Sequence, residues 1–128
     1  ISDYYFIKSL IFAEITLSED EFFLYKKLFH IIHQKLPQPD ILIYLYSDVE
    51  RLQKNISKRG RDYESQITDD YLNKIHKGYF NFLNQQNNFP IIILNLTNMD
   101  FVEHKEDFMK ILVSLGKTYE KGLHRINY

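Results

Sequence analysis

Two short apolar runs, at residues 41–46 and 90–94, constrain the fold more than any other feature of this sequence. Both are too short for a typical helix, and both are rich in residues that favour strands. They are apolar at nearly every position, as parallel strands buried on both faces are. Because helical patterns lie between them, we predict an α/β fold with a parallel sheet, right-handed crossovers and helices on both faces.

The sequence contains three N-cap signals for helices, at Ser18, Ser47 and Thr68. After each of the first two, a Glu stands three residues later, as in a capping box. The helix that follows Ser18 carries apolar residues at three- and four-residue spacing and should end before Pro37. Ser47 comes directly after the 41–46 strand, so strand, turn and helix form half of a βαβ unit.

The C-terminal quarter predicts one more helix and a polar tail. Apolar residues at helical spacing over 102–115 indicate a helix that ends near Gly116. We predict one domain over residues 1–116 and a polar tail over 117–128. Two strands do not make a complete sheet, and the chain opens at Ile1 without Met, so we expect a piece of a longer protein whose sheet has further N-terminal strands.

Charge and composition exclude several classes of function. The 16 Lys and Arg against 17 Asp and Glu give a net charge of −1, which offers no broad attraction for nucleic acid or an anionic membrane. The chain has no Cys, which excludes thiol catalysis and thiolate metal sites and is typical of a reducing, cytoplasmic environment. No apolar run approaches the roughly 20 residues that span a bilayer.

Positive charge is nevertheless concentrated around Gly60. Lys54, Lys58, Arg59 and Arg61 fall within eight residues. The two lysines are explained by a helix C-terminus, whose dipole favours cations. The two arginines flank a glycine that breaks the helix, and such guanidinium groups can bind phosphate oxygens in a bidentate manner. This segment is predicted to act as a lid over a phosphate site beyond the carboxyl ends of the strands.

The string at residues 58–64, Lys-Arg-Gly-Arg-Asp-Tyr-Glu, resembles the lid of deoxynucleoside kinases, which include bacterial deoxyguanosine and deoxyadenosine kinases. Ile67, the residues at 70–72 and Tyr79 extend the similarity into the following helix. The order of features also matches, from Leu-Ile-Phe-Ala at 10–13 through Leu-Pro-Gln-Pro-Asp at 36–40 to the lid. The resemblance covers about residues 1–115.

The resemblance implies a P-loop nucleoside-kinase fold and transfer of the ATP γ-phosphate to the 5′-hydroxyl of a deoxynucleoside with a purine base. The lid would span residues 57–66. Within it, Arg59 and Arg61 would hold the phosphates and the charge that develops on them, and Glu64 would accept a hydrogen bond from the sugar 3′-hydroxyl. ATP and Mg²⁺ are the implied cofactors.

The resemblance also assigns residues outside the lid. Phe12 matches an aromatic residue that stacks on the substrate base, although it fits a core position equally well. At the end of the third strand, where many family members carry an acid-Arg-Ser string, this chain has Ser2-Asp3-Tyr4, and Asp3 would stand near the substrate. Asp100 and Phe101 lie in a segment similar to the loop that borders the adenine of the phosphate donor. The alternative for Asp100 is that it caps the last helix.

Two further departures from the family pattern limit these inferences. Asn55 replaces an Arg that often precedes the lid by one helical turn, so the phosphate clamp would be weaker or completed differently. No G-x-x-x-x-G-K-[ST] string is present, so no metal ligand is assigned here and these 128 residues alone should not transfer phosphate. The phosphate loop and the Mg²⁺ site would lie in the preceding part of the protein.

Two other functions remain open at this point. A nucleoside-monophosphate kinase of the thymidylate-kinase type would use the lid arginines in a similar way. A non-catalytic α/β module would instead use the aromatic helix around Phe22, Phe23, Tyr25 and Phe29 to bind a partner helix. Pairing through helices is also expected of a kinase homodimer in this family, so such a surface does not separate the two.

Overall fold

A computed structural model describes residues 6–128, which divide into two compact units. The helical unit contains the described residues up to Pro39 together with Thr68–Gln85, and the sheet unit contains Asp40–Ile67 and Gln86–Tyr128. The helices are α1 (Ile7–Thr16), α2 (Glu19–His33), α3 (Val49–Arg59), α4 (Asp69–Asn84) and α5 (Lys105–Leu115). The strands are β1 (Leu42–Tyr46), β2 (Pro90–Asn95) and β3 (Gly122–Asn127). None of these helices is long and apolar enough to cross a membrane.

The helical unit consists of α1, α2 and α4. The Ser18 capping box is confirmed, since the Ser18 hydroxyl accepts from the Glu21 backbone N–H and the Glu21 side chain accepts from the Ser18 N–H. Ile7, Ile11 and Phe29 form the core of this unit. Helices α1 and α4 approach closely at Gly78, where an added Cβ would lie 2.9 Å from Cγ2 of Ile11.

The sheet unit is built on three parallel strands in the order β1-β2-β3. The middle strand, β2, is nearly fully buried, and its residues Ile92 and Leu94 share a core with Ile111 of α5. Ile91 and Ile93, which alternate with them, are buried as well. Burial on both faces explains why the β2 sequence is almost continuously apolar. The predicted α/β class, with a parallel sheet flanked by helices, is confirmed.

The polar tail expected at 117–128 contains a strand, which the sequence analysis missed. β3 pairs with the whole of β2, and Ile126 and Tyr128 pack against the core beside α5. The Tyr119 hydroxyl donates to the Ser114 carbonyl, and the Tyr128 hydroxyl donates to Oγ of Ser114, both at 2.6 Å. Composition did not predict this strand, because it is short, lies at the edge of the described sheet and carries polar residues on one side.

Two predicted helix starts are wrong by one or a few residues. The N-cap of α3 is Asp48 rather than Ser47, and its carboxylate accepts from the Arg51 backbone N–H at 2.8 Å. Helix α5 begins at Lys105, whereas the apolar spacing placed its start near Val102. Val102 lies in a turn and is 80% exposed. The apolar spacing therefore extended into a loop whose shape is set by hydrogen bonds to Asp100.

Candidate functional site

The site lies at the edge of the sheet where β1 and β2 end. The Leu96 N–H donates to the Tyr46 carbonyl at 2.7 Å, and the Asp48 N–H donates to Oγ1 of Thr97 at 3.0 Å. These bonds join the end of β1 and the turn after it to the loop after β2. The carboxyl ends of parallel strands are the usual position of ligand sites in open α/β sheets.

Helix α3 leads from this edge to residues 57–66, the segment that is predicted to act as a lid and is called the lid below. It ends at Gly60, which adopts the left-handed conformation with φ of 69° and whose N–H donates to the Ile56 carbonyl. This is the helix break that the sequence predicts. Arg59 is consequently the last helical residue, and Arg61 follows in extended backbone before the short 3₁₀ helix Asp62–Glu64.

The lid brings Arg59, Arg61 and Glu64 together. The Arg59 guanidinium donates to Oε2 of Glu64, and Nε of Arg61 lies 3.9 Å from Oε1 of the same carboxylate. The Glu64 side chain is 11% exposed, whereas both arginines are about half exposed. Oε1 of Glu64 is buried and accepts no hydrogen bond from any residue in the described range 6–128. The carboxylate therefore has one acceptor that no described residue fills.

A cavity of about 560 Å³ lies between α3 and the loop that follows β2. Its α3 wall consists of Arg51, Asn55, Lys58 and Arg59. Its other side consists of Ser47 and the loop residues Leu96 and 99–103. The cavity is large enough for a small organic ligand, and its three cations outnumber its two carboxylates.

Asp100 shapes the loop on the far side of this cavity. Its Oδ1 accepts from the backbone N–H groups of Val102 at 3.2 Å and Glu103 at 3.0 Å. The Glu103 N–H is the main reason that the pKa of Asp100 lies below its ordinary value. The N-cap of α5 is His104, so the alternative that Asp100 caps this helix is wrong. Phe101 also lines the cavity and is 41% exposed.

Arg51 is a site residue that the sequence analysis missed. Its Nη2 donates to the Met99 carbonyl at 3.0 Å and lies 3.8 Å from Oδ2 of Asp100. A second ion pair joins the same two walls, with 3.7 Å between Nζ of Lys58 and Oε1 of Glu103. The sequence carried only part of the signal, since residues 51, 55 and 59 follow each other at four-residue spacing on one helical face but this spacing does not identify the loop that Arg51 contacts.

Two predicted site residues, Phe12 and Asp3, are not part of the sheet-unit segments described above. Phe12 is on α1 in the helical unit, where it is partly buried and its ring centroid lies 6.4 Å from that of Tyr71. Both interpretations of Phe12, substrate stacking and core packing, therefore remain open. Asp3 lies outside the described residues.

Comparison with known proteins identifies the family. The sequence pattern of the deoxynucleoside kinases matches residues 1–119. The chain is 34% identical to a deoxyguanosine kinase of Bacillus subtilis (strain 168) over 115 residues, which cover 87% of this chain and 56% of that protein. It is 29% identical to a deoxyadenosine/deoxycytidine kinase of the same strain over 99 residues, or 76% of this chain and 46% of that protein.

A third relative is a deoxyadenosine kinase of Lactobacillus acidophilus (strain ATCC 700396 / NCK56 / N2 / NCFM), with 31% identity over 106 residues. The match covers 76% of this chain and 49% of that protein. The chain thus spans about half the length of the curated relatives that it matches. The family match covers the lid, the cavity and all of the sheet except β3. The chain belongs to the deoxynucleoside kinase family.

Proposed function

We propose that this chain is part of a kinase that transfers the γ-phosphate of ATP to the 5′-hydroxyl of a deoxynucleoside. The observation that carries the proposal is the convergence of Arg59 and Arg61 on Glu64 within one lid segment. Two cations and a buried carboxylate with an unused acceptor suit a site where phosphates and a sugar hydroxyl meet.

The arginines supply the electrostatic part of the reaction. Guanidinium groups of Arg59 and Arg61 would bind the transferred phosphate and the charge that develops on its oxygens. Both side chains are half exposed, so a ligand can reach them. Mg²⁺, when bound with ATP, would neutralise further phosphate charge. The resemblance assigns the Mg²⁺ ligands, the phosphate loop and the base for the 5′-hydroxyl to the preceding part of the protein.

Glu64 is proposed to orient the deoxyribose. Its carboxylate would accept a hydrogen bond from the 3′-hydroxyl, and its low exposure makes that bond stronger than one in water. Phe12 and Asp3 are proposed to contact the base and the substrate, as the family resemblance implies. A purine deoxynucleoside is favoured because the relatives include proteins named deoxyguanosine kinase and deoxyadenosine kinase.

The donor base is proposed to occupy the 560 Å³ cavity between α3 and the loop after β2. Its lining fits a nucleoside triphosphate, because Phe101 and Met99 offer apolar contact while Arg59 extends toward the lid. Asp100 would act on the base through the loop that it shapes, since Oδ1 is already bonded to two backbone N–H groups. Phe101 would contact the purine directly.

We also propose that the complete kinase is a homodimer paired through helices and serves nucleotide salvage in the cytoplasm. Support for the dimer comes from α2, where Phe23, Leu24, Leu28 and Ile31 are each more than half exposed. An apolar helix face of this kind commonly marks a protein interface.

The test is a phosphate-transfer assay of the full-length protein with ATP and Mg²⁺. Deoxyguanosine, deoxyadenosine, deoxycytidine and thymidine are compared with the corresponding 5′-monophosphates. We expect turnover of the deoxynucleosides, with a purine preferred. Turnover of dTMP alone would instead support a nucleoside-monophosphate kinase, and absence of transfer to any acceptor would support a non-catalytic module.

A further inference from the structure

We propose that Arg51 is a positioning residue for the donor nucleotide: it holds the loop after β2 against α3 and thereby sets the shape of the base cavity. The inference rests on the proposed function and adds to it a residue that neither the charge cluster nor the family resemblance pointed to. Arg51 lines the same cavity as Asn55 and Arg59 but lies two helical turns from the lid.

The first support is that one guanidinium contacts two successive residues of the loop. Nη2 of Arg51 donates to the carbonyl of Met99 at 3.0 Å and lies 3.8 Å from Oδ2 of Asp100. The side chain is only 30% exposed. The ion pair alone is worth little at such a partly solvated site, whereas a charged donor on a backbone carbonyl fixes the path of the chain.

The second support is that the same turn of α3 holds the loop at an earlier point. The backbone N–H of Asp48 donates to Oγ1 of Thr97 at 3.0 Å. The Asp48 carboxylate in turn accepts from the backbone N–H of Arg51 at 2.8 Å. The loop is therefore attached at Thr97 through the N-cap and at Met99 through the Arg51 side chain.

These attachments determine the position of the loop residues that line the cavity and would contact a base. Beyond Met99, Oδ1 of Asp100 holds the N–H groups of Val102 and Glu103, which closes the turn that carries Phe101. Arg51 acts on the other oxygen of the same carboxylate. Without it, part of the nucleotide's binding energy would be used to order the loop, so the affinity would fall while the lid chemistry stays intact.

The experiment compares Arg51→Met and Arg51→Lys in the full-length protein, with Lys54→Met as the matched control. Lys54 lies on the same helix and is 71% exposed, and its ion pair with Glu50 stays on α3. Three quantities are measured: the Kd of a fluorescent ATP analogue, the ATP KM against kcat, and amide hydrogen exchange at residues 96–103 without nucleotide.

We expect Arg51→Met to raise the Kd of the ATP analogue about tenfold and the ATP KM by a similar factor. The kcat should change by less than about threefold. Loop amide exchange should become faster in the absence of nucleotide. Arg51→Lys should recover part of the affinity, because an ammonium keeps the positive charge but is more strongly hydrated and lacks the planar geometry of the guanidinium. Lys54→Met should match wild type in all three measurements.

Equal affinity for the analogue in Arg51→Met and Lys54→Met would overturn the proposal, as would faster loop exchange with unchanged affinity. If Arg51→Met fails to fold, Arg51→Lys decides, and wild-type affinity together with wild-type loop exchange in that variant would contradict a positioning role. A wild-type protein that binds the analogue but phosphorylates no deoxynucleoside would contradict the proposed function alone, since the comparison of Arg51 variants would still stand.

Discussion

The Arg59 guanidinium donates to Oε2 of Glu64, while Oε1 of that carboxylate accepts no hydrogen bond from any residue between 6 and 128. In the proposed function these two residues serve different substrates, Arg59 the phosphates and Glu64 the deoxyribose. Without ligands they neutralise each other. A phosphate that engages Arg59 would therefore leave the Glu64 charge less neutralised, and the carboxylate would bind the sugar hydroxyl more strongly.

The first prediction concerns the coupling that this contact implies. We expect a non-hydrolysable ATP analogue to raise the affinity for the deoxynucleoside by about fivefold, a modest coupling free energy. In Glu64→Gln the ratio of affinities with and without the analogue should approach one, because an amide does not form the ion pair. Isothermal titration calorimetry measures both affinities. Glu50→Gln on α3 is the control, and a ratio unchanged by Glu64→Gln would contradict the coupling.

The second prediction concerns Gly60, whose φ of 69° places it in the left-handed region. No atom lies within 4 Å of an added Cβ, so Gly60→Ala would be disfavoured by the backbone conformation alone. We expect it to lower the free energy of unfolding by about 1 kcal/mol, measured by urea denaturation, and Gly60→Asn to cost less.

Gly116 provides the matched control for Gly60, since it caps α5 with φ of −76° and its nearest Cβ contacts are at 3.6 Å. Gly116→Ala should therefore leave the free energy of unfolding unchanged within about 0.5 kcal/mol or raise it slightly. A loss of stability as large in Gly116→Ala as in Gly60→Ala would contradict the strain argument.

The third prediction is a pH dependence in the loop after β2. Hydrogen bonds from the Glu103 and Val102 N–H groups and the cations Lys58 and Arg51 hold the pKa of Asp100 below its ordinary value of 3.8. The lowered pKa means that the ionised carboxylate stabilises the folded loop fully above pH 3.8 and that this stabilisation is lost as pH falls through the folded-state pKa.

Carboxyl ¹³C NMR of Asp100 should accordingly titrate with a midpoint below 3.8. The backbone amide signals of Val102 and Glu103 should shift with the same midpoint, because both N–H groups donate to Oδ1. Asp100→Asn should remove this titration from both amides. A midpoint at or above 3.8, or amides that titrate unchanged in the Asn variant, would contradict the assignment.

The fourth prediction concerns the attachment of β3. Tyr128→Phe removes the hydroxyl that donates to Oγ of the buried Ser114 and should lower the free energy of unfolding by about 1 kcal/mol. Tyr63→Phe is the control, because Tyr63 is 77% exposed and its hydroxyl accepts a long bond of 3.4 Å from Arg61. Equal urea midpoints for the two variants would show that the Ser114 contact does not hold the strand.

Sequence patterns predicted those parts of the fold that depend on local chemistry. The two apolar strands, the capping box at Ser18 and the helix break at Gly60 each follow from a few neighbouring residues, and all are confirmed. β3 was missed because its stability comes from pairing with β2 and from Tyr128 reaching Ser114, which are contacts between distant residues. The start of α5 was misplaced because the Asp100 turn interrupts an apolar spacing that continues through it.

In the candidate site, too, sequence patterns predicted only the features that depend on neighbouring residues. Arg59, Arg61 and Glu64 stand within six residues, so their convergence follows from one short segment. Arg51 was missed because its importance depends on a loop 48 residues later in the sequence, which only the parallel pairing of β1 and β2 brings alongside. Helical spacing relates Arg51 to Arg59 but gives no information about the loop that faces it.

The most direct test of the central claim is the steady-state kinetics of the full-length protein carrying Arg59→Ala with Arg61→Ala, compared with Glu64→Gln. We predict that the double Arg variant lowers kcat by about 10²- to 10⁴-fold with little loss of stability. Glu64→Gln should mainly raise the deoxynucleoside KM and leave the ATP KM largely unchanged. A double Arg variant with wild-type kcat would contradict the claim that this lid acts on phosphate.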